Sequence, residues 1–124
     1  MPPERVVYIV DDDGDVRRSL RLMLQVSGFQ ARAFDGGAAF LGEAEALEPG
    51  IVLLDLRMRG VDGLEVLGEL ARRRIGWPVI VMTGHGEPEV AQDAIAAGAV
   101  AFVEKPFEEA LLFRCLAEAG GAAG

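Results

Sequence analysis

The sequence predicts an α/β protein built on a doubly wound, five-stranded parallel sheet. Three observations predict it. Apolar runs alternate with helical stretches five times along the chain. Several of those runs are unbroken, which marks strands covered on both faces. The connections between them have the length of crossovers, and parallel strands joined that way wind right-handed. At 124 residues, 51% hydrophobic and 26% charged, the chain is one globular domain able to bury a core without staples.

The first strand is Val6-Val7-Tyr8-Ile9-Val10, ending at Asp11-Asp12-Asp13. A helix follows, with Asp12, Asp13 or Gly14 as caps and Asp15 in the first turn, where a carboxylate suits the dipole. Val16, Leu20, Met23 and Leu24 form its apolar stripe, and Gly28 with Phe29 reads as a left-handed stop. Gln30 to Phe34 has the mixed polarity of an edge strand. Asp35-Gly36-Gly37 opens a second helix with Phe40, Leu41, Ala44 and Leu47 inward, closed by Glu48-Pro49-Gly50. The central strand, Ile51 to Leu54, runs straight into Asp55. After the turn at Asp62-Gly63 comes a third helix through Leu64, Val66, Leu67 and Leu70, whose end, Arg72-Arg73-Arg74, reads as a solvated terminus complementing the dipole. Trp77-Pro78 introduces Val79 to Met82, closed by Thr83-Gly84-His85-Gly86. Pro88 and Gly98 bracket a fourth, alanine-rich helix. Val100 to Val103 is the fifth strand, stopped by Pro106. Glu108 to Glu118 forms the last helix, with Leu111, Leu112, Cys115 and Leu116 buried. Residues 1–119 are expected to form the domain and 120–124 a glycine-rich linker or chain end.

A net charge of -8 argues against nucleic-acid binding by this chain, because phosphate contact needs a basic surface. No apolar run approaches the ~20 residues of a membrane span, and Met1 to Arg5 has no signal-peptide architecture. The single Cys115 allows no internal disulfide. Together these point to the cytoplasm.

Parallel strands put all their carboxyl ends on one rim, where ligands of doubly wound sheets bind. The strand ends gather Asp11 and Asp12, Asp55, Thr83 and Lys105 there. Thr83 is the only threonine, and Lys105 the only lysine beside eleven arginines. Singly, each has a plain structural reading as a cap or a strand residue. Two carboxylates ~4 to 5 Å apart repel by roughly 3 to 4 kcal/mol at an effective dielectric near 20. Three need more positive charge than one ammonium supplies, and oxygen ligands without histidine or cysteine select Mg²⁺ or Mn²⁺ over zinc.

Val10-Asp11-Asp12, Leu54-Asp55-Leu56-Arg57-Met58 with Asp62-Gly63, Met82-Thr83-Gly84-His85-Gly86, and Ala97-Gly98-Ala99 leading to Phe102 and Glu104-Lys105-Pro106-Phe107 resemble the response-regulator receiver domain of two-component signalling. The match runs from Val6 to about Ala117. The Thr-Gly-His-Gly and Glu-Lys-Pro-Phe words are most similar to its FixJ-like, nitrogen-fixation-type transcriptional regulators. The resemblance implies a flavodoxin-like (βα)5 fold with strand order 2-1-3-4-5. It implies that Asp55 accepts a phosphoryl group from a sensor histidine kinase. Asp12 and Asp55 would ligate Mg²⁺ directly, Asp11 through water, and Arg57 through its backbone carbonyl. Lys105 would pair with Asp55 and then with a phosphoryl oxygen, Thr83 would donate its hydroxyl to the phosphoryl group, and Phe102 would turn inward when Thr83 moves. Arg57 and His85 would flank the hydrolytic water and set the lifetime, so the domain is a phosphoacceptor catalysing its own phosphotransfer and dephosphorylation. The peptide between Lys105 and Pro106 would be cis. Phosphorylation would reshape the face of the fourth helix and fifth strand and dimerise the chain there, with Val90, Ala94 and Ile95 as contacts. The output would be transcription, through a DNA-binding domain outside this chain, or else protein contact by a stand-alone receiver.

One position departs from the pattern: Arg59 stands where the family usually has proline, which frees φ and brings a cation near the pocket. A dehalogenase-type Mg²⁺ phosphatase would need a second carboxylate where Arg57 stands. A flavodoxin-like cofactor binder would need hydroxyls, not three aspartates, after the first strand.

Overall fold

A computed structural model describes residues 6–84 and 87–123, with side chains through residue 120. Five strands, β1 (Val6–Val10), β2 (Gln30–Phe34), β3 (Ile51–Asp55), β4 (Val79–Thr83) and β5 (Ala101–Glu104), form one parallel sheet in the order β2-β1-β3-β4-β5. The helices are α1 (Gly14–Val26), α2 (Gly37–Glu43) with a 3-10 turn at Ala44–Ala46, α3 (Gly63–Arg72), α4 (Pro88–Ala96) and α5 (Glu109–Ala123). The expected order and winding are thus the observed ones.

Every residue of β1, β3 and β4 is buried, because alternate side chains enter two separate cores. Tyr8, Val10, Val52, Leu54 and Val81 pack with Phe34, Phe40, Val66, Leu67 and Ala94 under α2, α3 and α4. Val7, Ile9, Leu53, Ile80 and Met82 pack with Leu20, Leu24, Val103, Leu112 and Leu116 under α1 and α5. Each fully buried Val, Leu or Ile contributes about 1.5–3 kcal/mol, so these two layers fix the sheet and with it the rim. Tyr8 carries a hydroxyl into the first core and donates it to the Glu48 carbonyl at 2.5 Å, its ring stacked on Trp77 at 5.6 Å.

Helix starts follow the local sequence. Asp13 is the N-cap of α1, accepting from the N–H groups of Asp15 and Val16. Asp62 and Glu65 form a reciprocal capping box at α3. Gly28 and Gly98 take φ of 94° and 116° after α1 and α4, where an L side chain would be strained.

Five sequence expectations need correction. α5 continues past Glu118 to Ala123, so residues 120–123 lie inside a helix; its inward stripe of Leu112, Cys115, Leu116 and Ala119 carries packing beyond the expected stop. Leu111, one residue off that stripe, is 39% exposed. Ala94 is fully buried, since its small side chain lets α4 lie close to the sheet, and it cannot serve as a surface contact. Arg73 is no solvated end: it pairs with Glu69 at 2.8 Å and donates to the Leu41 carbonyl at 2.8 Å, tying α3 to α2. β5 also begins one residue later than expected, at Ala101.

Candidate functional site

β1 and β3 are neighbours in the sheet, yet the chain leaves them toward opposite edges, so a crevice opens beyond their carboxyl ends. Asp11 and Asp12 follow β1, and Asp55 is the last residue of β3. One carboxylate oxygen from each of the three lies within 4.8 Å of the others. Asp11 is fully buried and Asp55 is 6% exposed, whereas Asp12 is half-buried.

Lys105, just past β5, reaches across this cluster. Its Nζ donates to Asp11 Oδ2 at 2.9 Å and lies 3.5 Å from Asp55 Oδ2. Asp11 Oδ1 accepts the Asp13 N–H at 3.0 Å, so both oxygens of this buried carboxylate are engaged. Asp55 Oδ1 accepts the Arg57 N–H at 3.1 Å, and Asp12 Oδ2 accepts the Arg59 N–H at 3.1 Å. Gly63 lets α3 start against this strand end; a Cβ there would stand 2.6 Å from Leu56 Cα and 2.8 Å from the Asp55 carbonyl oxygen.

One ammonium does not balance three carboxylates. Burial, then the Asp11 charge, push the Asp55 carboxyl up from 3.8 to about 6, against the opposing pull of Lys105 and the Arg57 N–H. Burial works against the Lys105 charge, but its hydrogen bond to Asp11 and the attraction of Asp55 and Asp11 outweigh it and raise its pKa. The cluster therefore lacks positive charge, and its donors are hard oxygens. Such a donor set fits Mg²⁺ or Mn²⁺.

The remaining expected residues fall as follows. Thr83 closes β4 on the same rim, 1% exposed, with its hydroxyl turned to the Val103 carbonyl at 3.5 Å. Phe102 on β5 is 38% exposed, so its ring lies outside the core. The Lys105-Pro106 peptide is cis. Arg57, beside the pocket, forms an ion pair with Glu87. His85 lies outside the described residues.

Sequence reasoning missed two contacts. Glu87, at the N-cap of α4, is the partner of Arg57 from the loop after β3. The Arg59 N–H holds Asp12 across 47 positions. Neither pairing leaves a periodic or motif signal, because each joins two loops.

Residues 7–117 match the response regulator receiver domain family. The transcriptional regulatory protein FixJ of Bradyrhizobium diazoefficiens is 42% identical over 103 residues, covering 83% of this chain and 50% of that protein. FixJ of Rhizobium meliloti is 42% identical over 113 residues, covering 91% and 55%. The chain thus spans about half the length of the curated relatives it matches. Among solved structures, the crystal structure of FixJ-N aligns with a TM-score of 0.91 at 40% identity, over 95% of this chain and 94% of that one. Matched over most of its length, and with its acidic cluster at the crevice where such a sheet places ligands, the chain belongs to the response regulator receiver domain family.

Proposed function

We propose that this chain is a phosphoacceptor signalling domain, with Asp55 as the acceptor and a sensor histidine kinase as donor. The observation that carries the reading is the position of Lys105 Nζ, 2.9 Å from Asp11 and 3.5 Å from Asp55 in a three-carboxylate pocket. At pH 7 a carboxyl with a pKa of about 6 is mostly ionised, so Asp55 is a competent nucleophile. Its oxygen attacks phosphorus in line. The P–O bond to Asp55 forms as the N–P bond of a phosphohistidine breaks, and the electron pair leaves with the imidazole. Lys105 shifts from Asp55 to a phosphoryl oxygen, and the Thr83 hydroxyl leaves Val103 to donate to another, both meeting charge that grows in the transition state. Asp12 and Asp55, with Asp11 and the Arg57 carbonyl beside them, would hold a divalent cation, which would supply positive charge to the phosphoryl oxygens. Dephosphorylation is the attack of water on the same phosphorus, returning the Asp55 carboxylate and inorganic phosphate. Arg57, beside the pocket, flanks that approach and sets its rate.

Movement of Thr83 makes room for Phe102 to turn inward, and the face of α4 and β5 changes shape. Ile95 and Val100, exposed on that face, with the half-buried Val90, are the contacts we assign to a homodimer formed on phosphorylation. The output is transcription, through a DNA-binding region outside the receiver. That assignment is supported by the likeness to FixJ, which is a transcriptional regulator. Among the described residues no helix is long and apolar enough to cross a membrane.

Mass spectrometry after treatment with acetyl phosphate and Mg²⁺ tests the assignment, with Asp55→Asn as control. One phosphoryl group on the wild type and none on the variant is the expected result. A gain that persists in the variant moves the acceptor elsewhere.

A further inference from the structure

Arg59 holds Asp12 in two ways. Its N–H donates to Asp12 Oδ2 at 3.1 Å, and its guanidinium Nε lies 3.9 Å from the same oxygen. The backbone bond anchors the loop to the carboxylate and keeps the guanidinium beside it. The side chain of Arg59 is 98% exposed, so it packs against nothing that would give it a structural duty there. A proline at this position has no N–H and no charge, and would make neither contact.

Asp12 is also the least buried carboxylate of the cluster; its side chain is 28% exposed against 9% for Asp55 and 0% for Asp11. Both Asp11 oxygens are already engaged, by the Asp13 N–H and Lys105. Asp12 is therefore the carboxylate an incoming cation meets from solvent. We propose that Arg59 is an intramolecular competitor of the divalent cation at Asp12, a positioning residue whose guanidinium weakens metal binding. The inference rests on the reading that Asp11, Asp12 and Asp55 form a divalent cation site. Two cations cannot crowd one carboxylate without repulsion, so metal entry displaces the guanidinium into water.

The test is Mn²⁺ affinity of the full chain, measured from the electron paramagnetic resonance of free Mn²⁺ at low and high ionic strength. Arg59→Ala keeps the N–H and removes only the guanidinium; Arg59→Lys keeps the charge. Arg59→Ala is expected to bind Mn²⁺ about two- to fivefold more tightly at low salt, the range of one exposed ion pair. The ratio should approach one at about 1 M salt, where charges are screened beyond ~3 Å. Arg59→Lys should stay nearer the wild type. Equal or weaker binding by Arg59→Ala, or a ratio that salt leaves unchanged, overturns the proposal while the metal site stands. Failure of the wild type to bind Mn²⁺ overturns both.

Discussion

Neutralising Asp55 is expected to make the metal-free protein more stable. The fold holds this carboxylate in an unfavourable place, buried and facing Asp11, and its pKa rises from 3.8 to about 6. A shift of about 2 units corresponds to about 3 kcal/mol, at 1.36 kcal/mol per unit. Because the folded-state pKa lies above the unfolded one, the folded chain binds more protons between the two values. Stability is therefore lost as pH rises from about 4 through 6, and the full penalty stands above that. Asp55→Asn keeps an oxygen to accept the Arg57 N–H, leaves Lys105 on Asp11, and removes the charge. Urea unfolding in EDTA should show the variant more stable by about 1–3 kcal/mol at pH 7.5, with the gap closing by about pH 4. Adding Mg²⁺ should stabilise the wild type and shrink the difference. A variant no more stable than the wild type at pH 7.5, or a gap of the same size at both pH values, would refute the electrostatic argument.

Three further outcomes follow from the same geometry. Lys105→Met leaves the fully buried Asp11 without its cation and should cost about 3–5 kcal/mol at neutral pH by urea unfolding. Gly63→Ala drives a Cβ to 2.6 Å from Leu56 Cα; the forced backbone shift should cost about 1–3 kcal/mol and slow acetyl phosphate labelling of Asp55. Asp62→Ala removes one half of the α3 capping box and should lower stability by about 1 kcal/mol in thermal unfolding without moving the pH dependence of the Asp55 carboxyl.

Strand and helix order were legible because burial on two faces writes unbroken apolar runs, and each run's last residue had to reach one rim. Strand polarity brings Asp11, Asp55, Thr83 and Lys105 together on that rim, and Asp13, Asp62, Gly28 and Gly98 mark helix ends through purely local backbone chemistry. Periodicity carries less at a resolution of one residue. Ala94 and Ile95 are equally apolar neighbours, and only the seating of α4 on the sheet decided that Ala94 goes in and Ile95 out. Nor did the pattern record that Ala119, past the expected stop of α5, takes a place in the core.

What the sequence by itself determined is the doubly wound sheet and the identity of the groups on its rim, because hydrophobic patterning and strand polarity are properties of the chain read in order. What only the tertiary structure decided is how loops meet over that rim, Arg57 on Glu87 and Arg59 on Asp12, and how α3 is tied to α2 away from it, by Arg73 on the Leu41 carbonyl. Those contacts join residues 30 or more positions apart, and their meeting depends on packing that no local pattern records.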